Sequence, residues 1–304
     1  MTSIVDKMES PESGSAAAAL IEHALEAVMA AGTASPCPPR LAEAMRYAVF
    51  PGGHRIRPRL CLAVAAAHGG VREELIATAL SSIELLHCAS LVHDDMPCFD
   101  DAPLRRGKPA VHVAFGEALA LMTGDALIVL AFQAIAKTAA SAPRRSAQLL
   151  SIVSEAVGAP HGIVAGQAWE CEPAVPLDEY QRAKTGVLFR AATLAGAAAA
   201  GDHDSSWGEL GEVIGSAYQI ADDLMDRVGD PALIGKPVGQ DDRLDRPSAV
   251  REMGVKAATD LLRQRIEAAV EAVPDCRGKH RLKMMIHHEA SRLLNNALNA
   301  RRAA

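Results

Sequence analysis

Apolar residues recur at helical spacing through most of the chain, and strand-like alternation is nearly absent. The pattern predicts helices over Ala16–Met29, Leu41–Val49, Pro58–Ala67, Glu73–His93, Glu117–Ala140, Arg145–Val157, Asp178–Ala200, Gly208–Arg227, Ser248–Val273 and Lys279–Ala300. Gly- and Pro-rich breaks such as GTASPCPPR, FPGGHRIRPRL, EPAVPLD and VGDPALIGKPVGQDDRLDRP separate them. None is long enough to act as an interdomain linker, and no fixed-period repeat is present. The expected architecture is one all-α domain over residues 15–304, with residues 1–14 as a disordered tail. That opening stretch lacks the basic end and apolar segment of a secretory signal.

Composition sharpens this picture. The 304 residues are 49% apolar, 22% charged and only 3% aromatic, with alanine in runs. Alanine favours helix, and β-branched or aromatic runs that would favour strands are few. A net charge of −6 argues against a nucleic-acid partner. No uninterrupted apolar run approaches the length of a membrane span, so no transmembrane segment is expected. The six cysteines form no CxxC pair and read as reduced thiols of a cytoplasmic protein.

Two acidic clusters stand out. LVHDDMPCFDDAPLRRGKPAVH places Asp94, Asp95, Asp100 and Asp101 close to Arg105, Arg106 and Lys108. YQIADDLMD places Asp222, Asp223 and Asp226 in an apolar helical run, with Asp222 and Asp226 on one face. A single DDxxD can be a solvated helix face. Two such clusters, each at the end of an apolar helix, point instead to a cation held between carboxylates. Oxygen ligands alone favour a hard cation, magnesium before calcium or zinc, and magnesium is commonly completed by substrate phosphates. Arg105 and Arg106 can bind phosphate oxygens bidentately.

DDMPCFDDAPLRRG together with YQIADDLMD resembles the two aspartate-rich motifs of trans-isoprenyl diphosphate synthases. GGHRIRP, ELLHCASLVHDD, GKPAVH, GDAL, GQAWE, KTG and GKPVGQD follow the family order, from Gly52 to Asp241. The wording around the first motif is most similar to carotenoid-type bacterial geranylgeranyl diphosphate synthases. The resemblance implies a helical bundle of the isoprenoid synthase type with a central cavity, Mg²⁺ as cofactor, and a homodimer. It implies metal binding by Asp94, Asp95 and Asp100 on one wall and by Asp222, Asp223 and Asp226 on the other. Arg105 would hold the allylic diphosphate, while His54, Arg57, His87 and Arg106 would hold isopentenyl diphosphate. Lys184, Thr185, Gln219, Lys236 and Arg246 would line the allylic side. Asp94, Asp95, Asp100, Arg105, Lys184, Asp222 and Lys236 would carry catalysis, by stabilising charge on the departing pyrophosphate while the allylic C–O bond ionises.

Two positions depart from the family pattern. His54 stands where relatives carry lysine, and histidine titrates near neutrality. Glu170 stands where GQxxD relatives carry aspartate. Blander expectations attach to other residues. His93 reads as an ordinary helix-end histidine, Arg55 and Arg59 as surface or structural cations, and Cys88 and Cys98 as plain thiols. Trp169 reads as core or cavity wall, and Met122 and Met225 as core. Alternatives of different class are a farnesyl diphosphate synthase, a non-catalytic partner subunit of a prenyl synthase, and a class I terpene cyclase. A cyclase would not need an isopentenyl site, and a partner subunit would be expected to lose acidic motifs.

Product length would be set one or two turns before the first cluster. Ala89 lies five residues before Asp94, roughly 7.5 Å along a helix axis, with Ser90 beside it. Both are small: they leave room for a further isoprene unit, with Leu85, Leu86, Met122 or Thr123 as the floor, or Ala89 simply permits close helix packing. Ala89→Phe is expected to shift the main product from C20 towards C15, read by product chromatography. An active variant that still makes only C20 would place the floor elsewhere.

Overall fold

A computed structural model describes residues 13–50, 52–69, 72–228 and 248–303. The helices are α1 (Ser13–Gly32), α2 (Pro39–Val49), α3 (Ile56–Ala67), α4 (Glu73–Asp94), α5 (Val111–Phe115), α6 (Glu117–Lys137), α7 (Pro143–Val157) and α8 (Ile163–Ala168). They continue with α9 (Leu177–Gln181), α10 (Val187–Ala200), α11 (Ser206–Val228), α12 (Ala249–Glu271) and α13 (Lys279–Ala303). The strands, β1 (Leu104–Arg105) and β2 (Lys108–Pro109), form a two-residue antiparallel hairpin.

All ten periodic segments are helical. The short helices α5 and α8 and the hairpin were not expected, because elements of a turn or two carry too little periodicity to register. The segment expected as one helix over Asp178–Ala200 is broken. α9 and α10 are joined by a π-helical turn, Arg182–Gly186, a feature that often marks functional sites. Of the expected tail at residues 1–14, residues 1–12 lie outside the described residues, and α1 already begins at Ser13.

Helix ends follow local chemistry. Pro39 and Pro143 occupy first-turn positions, where a missing N–H costs nothing. Gly201 closes α10 at φ 90°. The Ser248 hydroxyl accepts from the Arg251 N–H at 3.2 Å and caps α12.

α4 is the central helix. It packs on α6, α10, α3, α1 and α2, and its Leu75, Ile76, Leu80, Ile83 and Leu85 are fully buried. Burying each such side chain contributes about 1.5–3 kcal/mol. A core helix delivered to the surface only at its last turn thus presents Asp94 at a rigid, defined position. Its partner α6 approaches closely because of Gly124. A β-carbon there would stand 2.0 Å from His93 Nε2, and His93 instead bonds the Leu121 carbonyl at 3.2 Å.

α4 and α6 are long and apolar enough to pass for membrane spans by length and composition. Neither is an uninterrupted apolar run, since each carries polar positions such as Glu84 or Asp125. The apolar stretch of α4 is 78% buried within the protein, that of α6 only 44%. Leu121, Met122 and Val129 are exposed along α6. Met122 is therefore not core in this chain, because its face of α6 meets no other described element. A small apolar pocket of about 60 Å³ opens between α3, α11, α12 and α13, lined by Leu60, Ile214, Tyr218, Ile266 and Met285. All six cysteines are free thiols.

A polar staple closes the far end of the bundle. His68, at the end of α3, bonds the Asp202 carboxylate through Nε2 at 2.8 Å, and Trp207 Nε1 donates to the same oxygen at 2.8 Å. Burial alone would raise the Asp202 pKa. The bonds from His68, Trp207 and the Asp204 backbone outweigh it and hold the pKa at about 2. A pKa depressed in the folded state adds stability above the unfolded value, which is lost as pH falls from about 4 towards 2. Asp202→Asn is expected to lower stability by about 1–2 kcal/mol near pH 7. The gap to wild type in urea melts should narrow below about pH 4. A gap that stays constant with pH would show that the charge of Asp202 does not contribute.

Candidate active site

The first cluster sits on the end of α4 and the turn that follows. Asp94, Asp100 and Glu170 each bring a carboxylate oxygen within 4.8 Å of the others. Such a set suits a hard divalent cation, since it holds no imidazole or thiolate. Glu170 comes from the short 3₁₀ turn Trp169–Cys171. In the sequence it registered only as a variation on the family pattern. Lys184, on the π-helical turn, donates to Asp94 Oδ1 at 3.2 Å and also to Glu170 Oε1. The Tyr180 hydroxyl donates to the same Glu170 oxygen at 2.6 Å.

Asp95, expected beside Asp94 as a metal ligand, points elsewhere. It is 2% exposed and takes a bidentate grip from Arg105. Burial pushes the Asp95 carboxyl up despite that grip. For Arg105, burial lowers the pKa, but the bonds and charge of Asp95, then Asp94 and Asp100, outweigh it and raise the value. Arg105 thus stays charged, 3.8 Å from Asp94.

The second cluster splits in the same way. Asp222 is exposed and Asp223 is 3% exposed. Asp223 accepts from Gln219 Nε2 and from the Ala249 N–H at the start of α12, both at 2.7 Å. Burial pushes its pKa up to about 6 against those bonds. Gln219 in turn accepts from the Thr185 hydroxyl at 2.5 Å. Thr185 and Gln219, expected on the allylic side, therefore form a ladder from the π-helical turn through α11 to α12. Asp226 is 7% exposed on the same helix. Lys236 and Arg246 lie outside the described residues.

The cationic side is built from two segments, 52–57 and 104–109. The hairpin turns through Arg106 and Gly107, at φ 54° and 75°, the positive pair that a two-residue type I′ turn requires. A non-glycine residue at positive φ is uncommon and often found where function constrains the backbone. From the other segment, Arg57 Nη1 lies 3.4 Å from His87 Nε2, and its guanidinium stacks 4.4 Å over the Phe189 ring. Arg57 Nε is buried with no hydrogen-bond partner among the described residues. Such an orphaned donor suits an anionic ligand. His54 is exposed at the rim.

The blander expectations can be placed as well. His93 serves helix packing, and Arg59 bridges α3 to α13 through Glu289 at 3.7 Å. Burial pushes the Cys88 thiol up to about 12, which makes it unreactive. Cys98 is exposed, Trp169 is half-buried, and Ala89 is 1% exposed within the core.

The chain is similar to known proteins over most of its length. The family model described as polyprenyl synthetase matches residues 38–285. A geranylgeranyl diphosphate synthase from Cereibacter sphaeroides is 49% identical over 92% of this chain and 98% of its own length. A second, from Rhodobacter capsulatus, is 44% identical over 93% and 98%. The crystal structure of a geranyltransferase from Helicobacter pylori, complexed with magnesium and isoprenyl diphosphate, superposes with a TM-score of 0.76. It is 26% identical and covers 96% of this chain and 99% of that one.

His87 is surrounded by cations. Burial, then the charges of Arg57, Arg106, Arg105 and Arg55, push its pKa well below the usual histidine value. An anion placed among those arginines would reverse the balance, and the ring would take up a proton. In NMR titrations, the His87 ring signals, assigned by difference from His87→Gln, are expected not to titrate between about pH 6 and 8 in the free protein. Adding pyrophosphate should raise the apparent pKa by about one unit or more. Ordinary titration near 6.5 in the free protein would show that the arginines do not act on it.

Proposed function

The chain belongs to the polyprenyl synthetase family, and we propose on that footing that it condenses an allylic diphosphate with isopentenyl diphosphate to make geranylgeranyl diphosphate. The observation that carries the reading is the meeting of two charge systems at one place. A carboxylate group of Asp94, Asp100 and Glu170 stands beside Arg105, whose charge, with those of Arg57 and Arg106, also bears on His87. A reaction between a metal-bound allylic diphosphate and a second, arginine-bound diphosphate ester fits that pairing.

Asp94, Asp100 and Glu170 would hold magnesium on one wall, with Asp222 and Asp226 on the other. Support comes from the all-oxygen donor set and from the magnesium complex of the Helicobacter relative. When bound, the metal supplies positive charge to the diphosphate leaving group. The protein's own part is positional. Arg105 and Lys184 stand within reach of phosphate oxygens on the allylic side and lower the barrier to C–O ionisation by stabilising the departing charge. Arg57, Arg106 and His87, with His54 at the rim, orient isopentenyl diphosphate so that its double bond faces the carbocation. Among the described residues no general base holds a commanding position, and the departing pyrophosphate is the proton acceptor in this reading. Asp95 and Asp223 position the walls through Arg105 and α12.

A C20 product is supported by the two bacterial relatives. A homodimer is supported by the exposed apolar stripe Leu121, Met122 and Val129 on α6. A cytoplasmic location is supported by the six free thiols. Retention of both aspartate clusters favours an enzyme over a non-catalytic subunit.

Purified protein incubated with Mg²⁺, farnesyl diphosphate and labelled isopentenyl diphosphate is expected to yield a labelled C20 diphosphate. A hydrocarbon product would indicate a cyclase, and no reaction a non-catalytic subunit. Asp94→Ala and Asp222→Ala should each lower turnover roughly hundredfold or more, with unchanged circular dichroism. Near wild-type turnover in either variant would sink the two-wall arrangement.

A further inference from the structure

The two arginine-bearing segments end on the same structural element, the C-terminal turn of α2. The last carbonyls of a helix lack intrahelical partners and carry the negative end of its dipole. In α2 these are taken by two cations from elsewhere. Lys108, from β2, donates through Nζ to the Tyr47 carbonyl at 2.6 Å and the Phe50 carbonyl at 3.0 Å. Its ammonium also lies 3.9 Å over the Tyr47 ring, and the Tyr47 hydroxyl returns a bond to the Pro109 carbonyl at 2.8 Å. Arg55, from the loop before α3, donates through Nη2 to the Val49 carbonyl at 2.8 Å.

Neither cation is available to a phosphate. Arg55 is 7% exposed, in left-handed backbone at φ 50°, and its other nitrogens hold Glu84 at 2.6 Å and Glu22 at 2.8 Å. Lys108 is paired in register with Arg105 and stands two residues from Arg106. Arg55 sits between His54 and Arg57. The segments also touch. Arg106 Nε lies 3.0 Å from where a β-carbon on Gly53 would stand.

We propose that the C-terminal turn of α2 is a shared anchor, and that Lys108 and Arg55 are positioning residues that set the two isopentenyl-diphosphate-binding segments against one another. The proposal rests on the reading of Arg57, His87 and Arg106 as the isopentenyl site. Lys108 acts by fixing the hairpin that carries Arg106, and Arg55 by fixing the left-handed step that aims Arg57. A free hairpin would let Arg106 relax from its positive φ, and isopentenyl diphosphate would lose one of two convergent grips. The allylic side depends less on the anchor, because Arg105 is independently held by Asp95 and Lys184 by Glu170.

The test uses the full chain with Lys108→Met, which keeps the aliphatic stem over Tyr47 and removes the ammonium, and Lys108→Arg as the conservative variant. Steady-state kinetics vary each diphosphate separately. Lys108→Met is expected to raise KM for isopentenyl diphosphate about tenfold, with kcat and the allylic KM within about threefold, and Lys108→Arg should recover most of the loss. If turnover is too low to read, calorimetric titration of the folded variant with isopentenyl diphosphate should show the same tenfold weakening. A role in stability alone would lower Tm and leave both KM values unchanged. That result, or a parallel rise in both, would overturn the proposal. Wild-type turnover of isopentenyl diphosphate tests the underlying site assignment separately from the variant-to-wild-type ratio.

Discussion

Asp94, Asp100 and Glu170 repel one another across less than 4.8 Å, and the architecture of the cleft answers that repulsion. At such separations two unit charges interact by several kcal/mol even at an effective dielectric of about 20. Lys184 reaches Asp94 and Glu170 together, and Arg105 stands 3.8 Å from Asp94 while gripping Asp95. Both cations must arrive on backbone that can be placed accurately. Lys184 comes on a π-helical turn and Arg105 on a hairpin held to α2, so the irregular elements are where the charge requires them.

Helical phase explains why each cluster opens with a pair of aspartates. Neighbours on a helix are rotated by about 100°, so the two carboxylates of a pair cannot face the same space. Asp94 turns to Asp100, Glu170 and Lys184, and Asp95 turns inward to Arg105. Asp222 is exposed with its charge felt by Arg57, and Asp223 turns inward to Gln219 and the start of α12. The inward member ties the cleft-facing one to a neighbouring element. A burial cost is accepted there, visible in the upward pKa shifts of Asp95 and Asp223. Rigid walls result, and rigidity is what a site acting by charge placement needs.

The same division appears among the cations. Arg57 and Arg106 are aimed at the shared space around His87, whereas Arg55 and Lys108 are consumed by backbone carbonyls and carboxylates. Residues of one chemical type, adjacent in sequence, thus separate into those that meet a ligand and those that hold them in place. His87 registers the outcome, since cations from both segments converge on it and hold its pKa well below the usual histidine value.

Helix positions, the all-α class and both acidic clusters were legible in the residues, because amphipathic periodicity and local spacing are properties of neighbours along the chain. The family motifs marked Arg57, His87, Arg105 and Lys184 for the same reason. What was not legible depends on partners far away in sequence. Asp95 and Asp223 look identical to Asp94 and Asp222 until Arg105 and Ala249 are brought beside them. Glu170 joins the carboxylates only because the fold brings its oxygen within 4.8 Å of those of Asp94 and Asp100. Met122 reads as core by composition, yet its face of α6 meets no other described element, and Lys108 reads as one more loop cation until the end of α2 meets it. Sequence by itself determined which segments are helical and which residues can carry charge chemistry, since both are encoded locally. Only the tertiary structure decided which of those charges face the cleft and which are spent holding it, because that choice is made by the long-range contacts that bury one neighbour and expose the other.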